Sequence, residues 1–121
     1  MGLTGIDHIN IDTGSIEETV EFYAVLGLEG RPKPSGNPGV WLYAGESPLV
    51  HVNPVEADGA ADTGLFQHVA FNGSDYEALC TVLDQAGIDY KSETKPDQGR
   101  AQIFVRDPNG IMVEVTFPWP P

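Results

Sequence analysis

Two tandem α+β modules, each a strand followed by a helix and then further strands, are predicted by three features of the sequence. The order of elements occurs twice, nineteen residues separate both His8 from Gly27 and His68 from Gly87, and alternating apolar and polar residues mark strands on both sides of each helix. Two unrelated segments rarely share both order and spacing. The 121 residues therefore read as a single domain made by duplication, with a first module over about residues 5–54, a linker over 55–64 and a second module over about 65–117.

The first module opens on "IDHINID", where Ile9 and Ile11 fall on one face of a strand and His8, Asn10 and Asp12 on the other. A helix is expected next. Ser15 with Glu18 forms a capping box, Ile16, Val20, Tyr23 and Leu26 supply an apolar stripe, and Gly27 ends the helix. "GRPKPSGNPG", residues 30–39, is too rich in Pro and Gly for a regular element, after which "GVWLYAG" and "PLVHVNP" read as strands.

The acidic stretch "PVEADGAADTG", residues 54–64, links the halves, and the pattern restarts at "FQHVAFNG". Ser74 with Glu77 makes the second capping box, Leu79, Val82, Leu83 and Ala86 the second stripe, and Gly87 the stop. "AQIFVRD" and "GIMVEVTF" are strands joined by "DPNG", whose Asn-Gly is a hairpin signal. The closing "PWPP" is a tail that packs Trp119 locally.

Composition narrows the function classes. Six Lys and Arg against eighteen Asp and Glu give a formal charge of -12, which repels phosphate backbones and anionic bilayers and argues against nucleic acid or membrane partners. The same charge keeps a protein in solution and also suits a cationic ligand. No apolar run reaches the length of a membrane helix, and "MGLTGIDHIN" carries no export signal, so a cytoplasmic location is expected. A lone Cys80 excludes an internal disulfide and reads as a buried small hydrophobe within the second helix.

His8, His51, His68 and Glu114 hold equivalent strand positions in the two modules, each opposite its apolar neighbours. Packed side by side, the modules would let those polar faces converge. The same alternation directs Asn10, Gln102 and Arg106 the same way, provided Ile103 and Val105 are core. Gln102 suits a substrate oxygen and Arg106 an anionic group, or simply solvent. Arg31 and Lys33 on the Pro-rich loop read as solvated cations or as a closure over an acidic substrate, and Trp41 and Tyr43 as sheet packing or an aromatic wall.

The duplicated module, the "DHINI" opening, the "FQHVAF" restart and the "DPNGIMVEV" ending resemble the vicinal oxygen chelate superfamily, over about residues 5–117. That superfamily includes glyoxalase I, fosfomycin-resistance enzymes, extradiol dioxygenases, methylmalonyl-CoA epimerase and bleomycin-resistance proteins. The resemblance implies two βαβββ modules, a mixed sheet curled around a metal cleft, a small-molecule substrate and a homodimer. It also implies one divalent metal ion, Fe, Mn, Ni, Co or Zn, with His8, His68 and Glu114 as ligands. Two imidazoles and a carboxylate leave positions open for substrate. His51 departs from the Glu usual in glyoxalase I-like members and reads as a fourth ligand, a proton-transfer group or a polar lining residue.

Three functions follow as expectations. The first is a redox-neutral lyase, isomerase or transferase whose substrate chelates the metal through adjacent oxygens, with Glu114 or His51 moving a proton. The second is an extradiol-type dioxygenase, for which this chain is short. The third is a metal-free drug-binding protein of the bleomycin-resistance kind, which the charge suits and the ligand set does not.

Overall fold

Eight strands, two α-helices and a short 3-10 turn (Pro96–Gln98) make up the computed structural model, which describes residues 1–121 as two units, Met1–Gly59 and Ala60–Pro121. In the first unit β1 (Ile9–Thr13), α1 (Ile16–Val25), β2 (Glu29–Pro32), β3 (Val40–Ala44) and β4 (Ser47–Pro54) form a sheet in the order β1-β4-β3-β2. β1 runs parallel to β4, and the other pairs are antiparallel. The second unit repeats this with β5 (Val69–Asn72), α2 (Tyr76–Gln85), β6 (Lys91–Lys95), β7 (Arg100–Arg106) and β8 (Met112–Pro118), in the order β5-β8-β7-β6. Each module is thus βαβββ, and the strands form two four-stranded mixed sheets.

The second strand of each module, directly after the helix, escaped sequence reading. β2 carries Gly30 and Pro32 inside the stretch expected to be irregular, and β6, "KSETK", is almost wholly exposed. Both are sheet edges, where Pro and charged residues are tolerated because one row of backbone groups faces away from the ladder.

Both helix starts are capped, though differently from expectation. Ser15 accepts from the Glu18 backbone N–H, while its own N–H donates to Thr13 Oγ1 rather than to Glu18. At α2 the cap is Asp75, one residue after the expected Ser74, accepting from the Ala78 N–H. A carboxylate both satisfies an orphan donor and favours the positive end of the helix dipole, so Asp75 outcompetes the hydroxyl. Gly27 and Gly87 follow the helices at φ 101 and 68, the left-handed conformation that glycine adopts without strain.

The stripes also shift. On α1 the buried residues are Thr19, Phe22 and Tyr23, with Ile16, Val20 and Leu26 only half-buried. Thr19 is buried because its hydroxyl meets that of Thr13 at 3.1 Å and donates to the Ser15 carbonyl. On α2 Leu79 and Leu83 are buried, whereas Val82 and Ala86 are exposed and Cys80 is half-buried. The cores are Ile11, Phe22, Tyr23, Leu42, Val50 and Val52 in the first unit, and Leu79, Leu83, Ala101, Ile103, Val105, Val113, Val115 and Phe117 in the second. Trp119 packs edge-on against Tyr76 at 5.5 Å, as the tail predicts.

Candidate functional site

In the first unit the register brings Asn10, His51, Trp41 and Arg31 into one row across the sheet, since Asn10 pairs with His51, His51 with Trp41 and Trp41 with Arg31. Val50 and Val52 are fully buried on the other face, so His51 necessarily projects from this one. His51 lies between two flat partners. Trp41 stacks on it at 4.1 Å and His8, just before β1, at 3.7 Å with planes 12° apart. Trp41 therefore packs, and what it packs on is a candidate functional ring.

The histidines have defined tautomers. His8 Nδ1 faces Asp7 Oδ1 at 2.6 Å, an acceptor, so Nδ1 carries a proton and Nε2 has no hydrogen-bond partner of its own. His51 has a backbone hydrogen bond at Pro48, and its buried Nε2 has no partner. Burial, and then the charge of a protonated His8, hold His51 below its ordinary 6.5, which keeps the ring neutral at neutral pH.

A metal binds an imidazole in the ring plane. Nearly parallel rings 3.7 Å apart cannot both direct a lone pair at one ion about 2 Å away. In this arrangement His8 and His51 are alternatives as ligands.

Next to this row a polar chain runs from Lys33 Nζ to Asn53 Oδ1, from Asn53 Nδ2 to Asn10 Oδ1, and from Asn10 Nδ2 to Asp12 Oδ1 at 3.1 Å. Lys33 is thus tied down rather than solvated. Arg31 pairs with Glu29 at 3.4 Å and lies over the Tyr43 ring at 4.2 Å. Both cations are engaged by groups of the protein itself.

The second unit carries the equivalent row Ala70, Glu114, Phe104 and Lys91. Glu114, 7% exposed, projects from the face opposite Val113 and Val115. Its Oε2 accepts from Gln102 Nε2 at 3.0 Å and Thr116 Oγ1 at 2.7 Å, and its Oε1 lies 3.4 Å from His68 Nε2. Burial alone pushes this carboxyl up, but the bonds from Thr116 and Gln102 and the charges of His68 and Arg100 outweigh it and hold the group below 4.5. Glu114 is therefore an anion near neutral pH.

His68, immediately before β5, has its Nδ1 on Gln67 Oε1, which leaves Nε2 facing Glu114. Gln102 keeps one atom unused, because its buried Oε1 has no partner. Arg106 is exposed and donates to the Gly110 carbonyl at 3.0 Å, bracing the hairpin.

The donor set fits a divalent cation. Imidazoles held by an acceptor on one ring nitrogen, and a carboxylate oriented through its second oxygen, match the outer-shell arrangement common around such ions. His68 and Glu114, 3.4 Å apart, are the two side chains of the second unit that would hold such an ion. Neither unit gathers three or more His, Cys, Asp or Glu side chains as a metal site. The supporting residues Asp7, Gln67 and Thr116 were missed in the sequence. Asp7 and Gln67 share one signal, an acceptor immediately before each histidine.

The model of the Glyoxalase/Bleomycin resistance protein/Dioxygenase superfamily matches residues 5–115. Among solved structures, a glyoxalase/dioxygenase from Nostoc punctiforme is similar at TM-score 0.77 and 18% identity, over 94% of this chain and 90% of its own. A protein ascribed to the glyoxalase family from Bacillus anthracis is similar at TM-score 0.75 and 24% identity, over 98% of both chains. A glyoxylase/bleomycin resistance protein/dioxygenase domain from Frankia sp. EAN1pec follows at TM-score 0.75 and 16% identity, over 98% of this chain and 95% of its own. No curated protein matches. No helix is long and apolar enough to cross a membrane.

Proposed function

The chain belongs to the Glyoxalase/Bleomycin resistance protein/Dioxygenase superfamily, and from that premise we propose that it is a divalent-metal-dependent enzyme acting on a small molecule, of the redox-neutral lyase, isomerase or transferase kind. One observation carries the reading. Glu114 and His68 face each other through the only donor atoms that their neighbours leave unused, Oε1 and Nε2. A plain core ion pair does not require both partners to be fixed from behind.

The candidate ligands are His68 and Glu114 in the second unit and His8 and His51 in the first. A cation held by His68 and Glu114 would supply Lewis acidity for negative charge building on two adjacent substrate oxygens. The protein's own groups do the rest. Thr116 and Gln102 keep Glu114 ionised and turned toward His68. His51, neutral and with an unpartnered Nε2, is the first unit's candidate for accepting a proton and returning it. Gln102 Oε1 in the second unit and Asn10 in the first are each a candidate polar contact for a substrate oxygen, and Trp41 holds His51 on one face.

The test is the metal content of protein purified without a histidine tag or chelator, by inductively coupled plasma mass spectrometry. Near-stoichiometric Ni, Co or Zn supports the proposal and directs assays to dicarbonyls, epoxides and epimerisable acids. Fe or Mn, with oxygen uptake on catechols, replaces it with the dioxygenase. No metal, and none taken up on reconstitution, replaces it with a metal-free drug-binding protein. A homodimer is part of the proposal, supported by exposed Leu3, Ile6 and Leu65 in the segments that precede the first strand of each unit. Sedimentation at 13.0 kDa alone would remove it.

A further inference from the structure

Every basic residue of the second unit lies on one face of its sheet. Ala101, Ile103 and Val105 are buried, with α2 packing on β7, so Arg100, Gln102, Phe104 and Arg106 project from the other side. Across the ladder Lys91 pairs with Phe104 and Lys95 with Arg100, which puts both lysines on that same side. These four are all the Lys and Arg of residues 60–121, whereas of the nine Asp and Glu there only Glu93 and Glu114 share the face. In a strongly acidic chain this surface is locally positive.

Two atoms on it are buried and unmatched. Arg100 Nε has no acceptor, and Gln102, 5% exposed, has no donor for Oε1 while its Nε2 is committed to Glu114. An N–H and a C=O left bare in this way each cost free energy that a ligand of the right chemistry recovers. They are two residues apart on one strand face, about 7 Å along β7, and Gln102 adjoins Glu114.

We propose that this face selects a small organic oxyanion bearing a hydroxyl group, with Arg100 and Lys95 holding the carboxylate or phosphate and Gln102 Oε1 accepting from the hydroxyl, so that the rest of the molecule extends toward Glu114. The assignment rests on the enzyme reading above and names its substrate class. Lys95 is already near Glu93 at 3.8 Å, an exposed pair that a ligand exchanges at little cost. Arg100 contributes most, because a partly buried guanidinium with an unused N–H is a forked oxyanion donor that water screens poorly.

The experiment is calorimetric titration of the chelator-treated full chain with glycerol, glycerate, glycerol 3-phosphate and propanoate. Glycerate or glycerol 3-phosphate is expected to bind at least about ten-fold tighter than glycerol, and the better of the two tells carboxylate from phosphate. R100Q is expected to erase that preference and R100K to keep part of it. Propanoate, without hydroxyls, is expected to bind more weakly than glycerate. No preference over glycerol, or full preference in R100Q, overturns the proposal; equal binding of propanoate and glycerate overturns the role of Gln102. If R100Q does not fold by circular dichroism, R100K and the wild-type ranking decide. Metal uptake is measured separately on the same protein: its absence sinks the enzyme reading while leaving this ranking intact, and the reverse also holds.

Discussion

His68 Nε2 and Glu114 Oε1 lie 3.4 Å apart, and each is the last unengaged donor atom of its side chain, because Gln67 holds His68 Nδ1 and Gln102 with Thr116 holds Glu114 Oε2. The pair is therefore aimed from outside. Glu114→Gln keeps the shape and removes the charge, and is expected to lower divalent-metal affinity by more than roughly 100-fold, the upper end of what loss of an outer partner costs. Competition with a chromophoric chelator measures it. Unchanged affinity removes Glu114 from the ligand set.

The residue before each strand histidine is expected to matter at one remove. Asp7 and Gln67 fix the rings of His8 and His68 through Nδ1, so Asp7→Ala and Gln67→Leu should each weaken metal binding by about 10- to 100-fold. Both residues are exposed, and thermal stability should stay within about 0.5 kcal/mol. A stability loss without an affinity loss would make them structural.

His8 and His51 stack as nearly parallel rings, an arrangement in which one ion cannot lie in both planes. The substitutions His8→Ala and His51→Ala should therefore be unequal: one removes metal binding and the other alters it little while lowering turnover. Equal loss of affinity in both would show that the stack opens when metal binds.

Stability of the metal-free protein should fall in acid partly through Glu114. Its pKa is depressed in the folded state, so the contribution is present above the ordinary 4.5 and is lost as pH drops through the lower folded value. In urea unfolding from about pH 5 to pH 3, wild type should lose more stability than Glu114→Gln. Parallel curves would mean that the Thr116 and Gln102 bonds do not favour the charged form.

Gly73 follows β5 and donates its N–H to the Thr116 carbonyl at 2.8 Å, where an added Cβ would come within 2.3 Å of the Phe117 ring and 2.7 Å of Val115. Gly73→Ala should therefore cost about 1–3 kcal/mol by overpacking. A urea midpoint like that of wild type would show that Phe117 can turn aside.

Much of this was legible in the chain. The nineteen-residue echo located both helices, and alternation at Val50-His51-Val52 and Val113-Glu114-Val115 placed His51 and Glu114 opposite the core, because strand geometry leaves no other choice. Edge strands were not legible, since β6 buries too little for hydrophobic patterning to act. Nor was the cap at Asp75, which was decided by a carboxylate competing with the neighbouring hydroxyl.

What the sequence determined by itself was periodic: the duplicated module, the faces of its strands and the residue types offered on them. Tertiary structure decided which atoms meet. That His51 lies against both His8 and Trp41, that Glu114 gives one oxygen to Thr116 and Gln102 and the other to His68, and that four cations share one sheet face all depend on strand register. Register is set by cross-strand pairing between segments far apart in the chain, which local periodicity cannot supply.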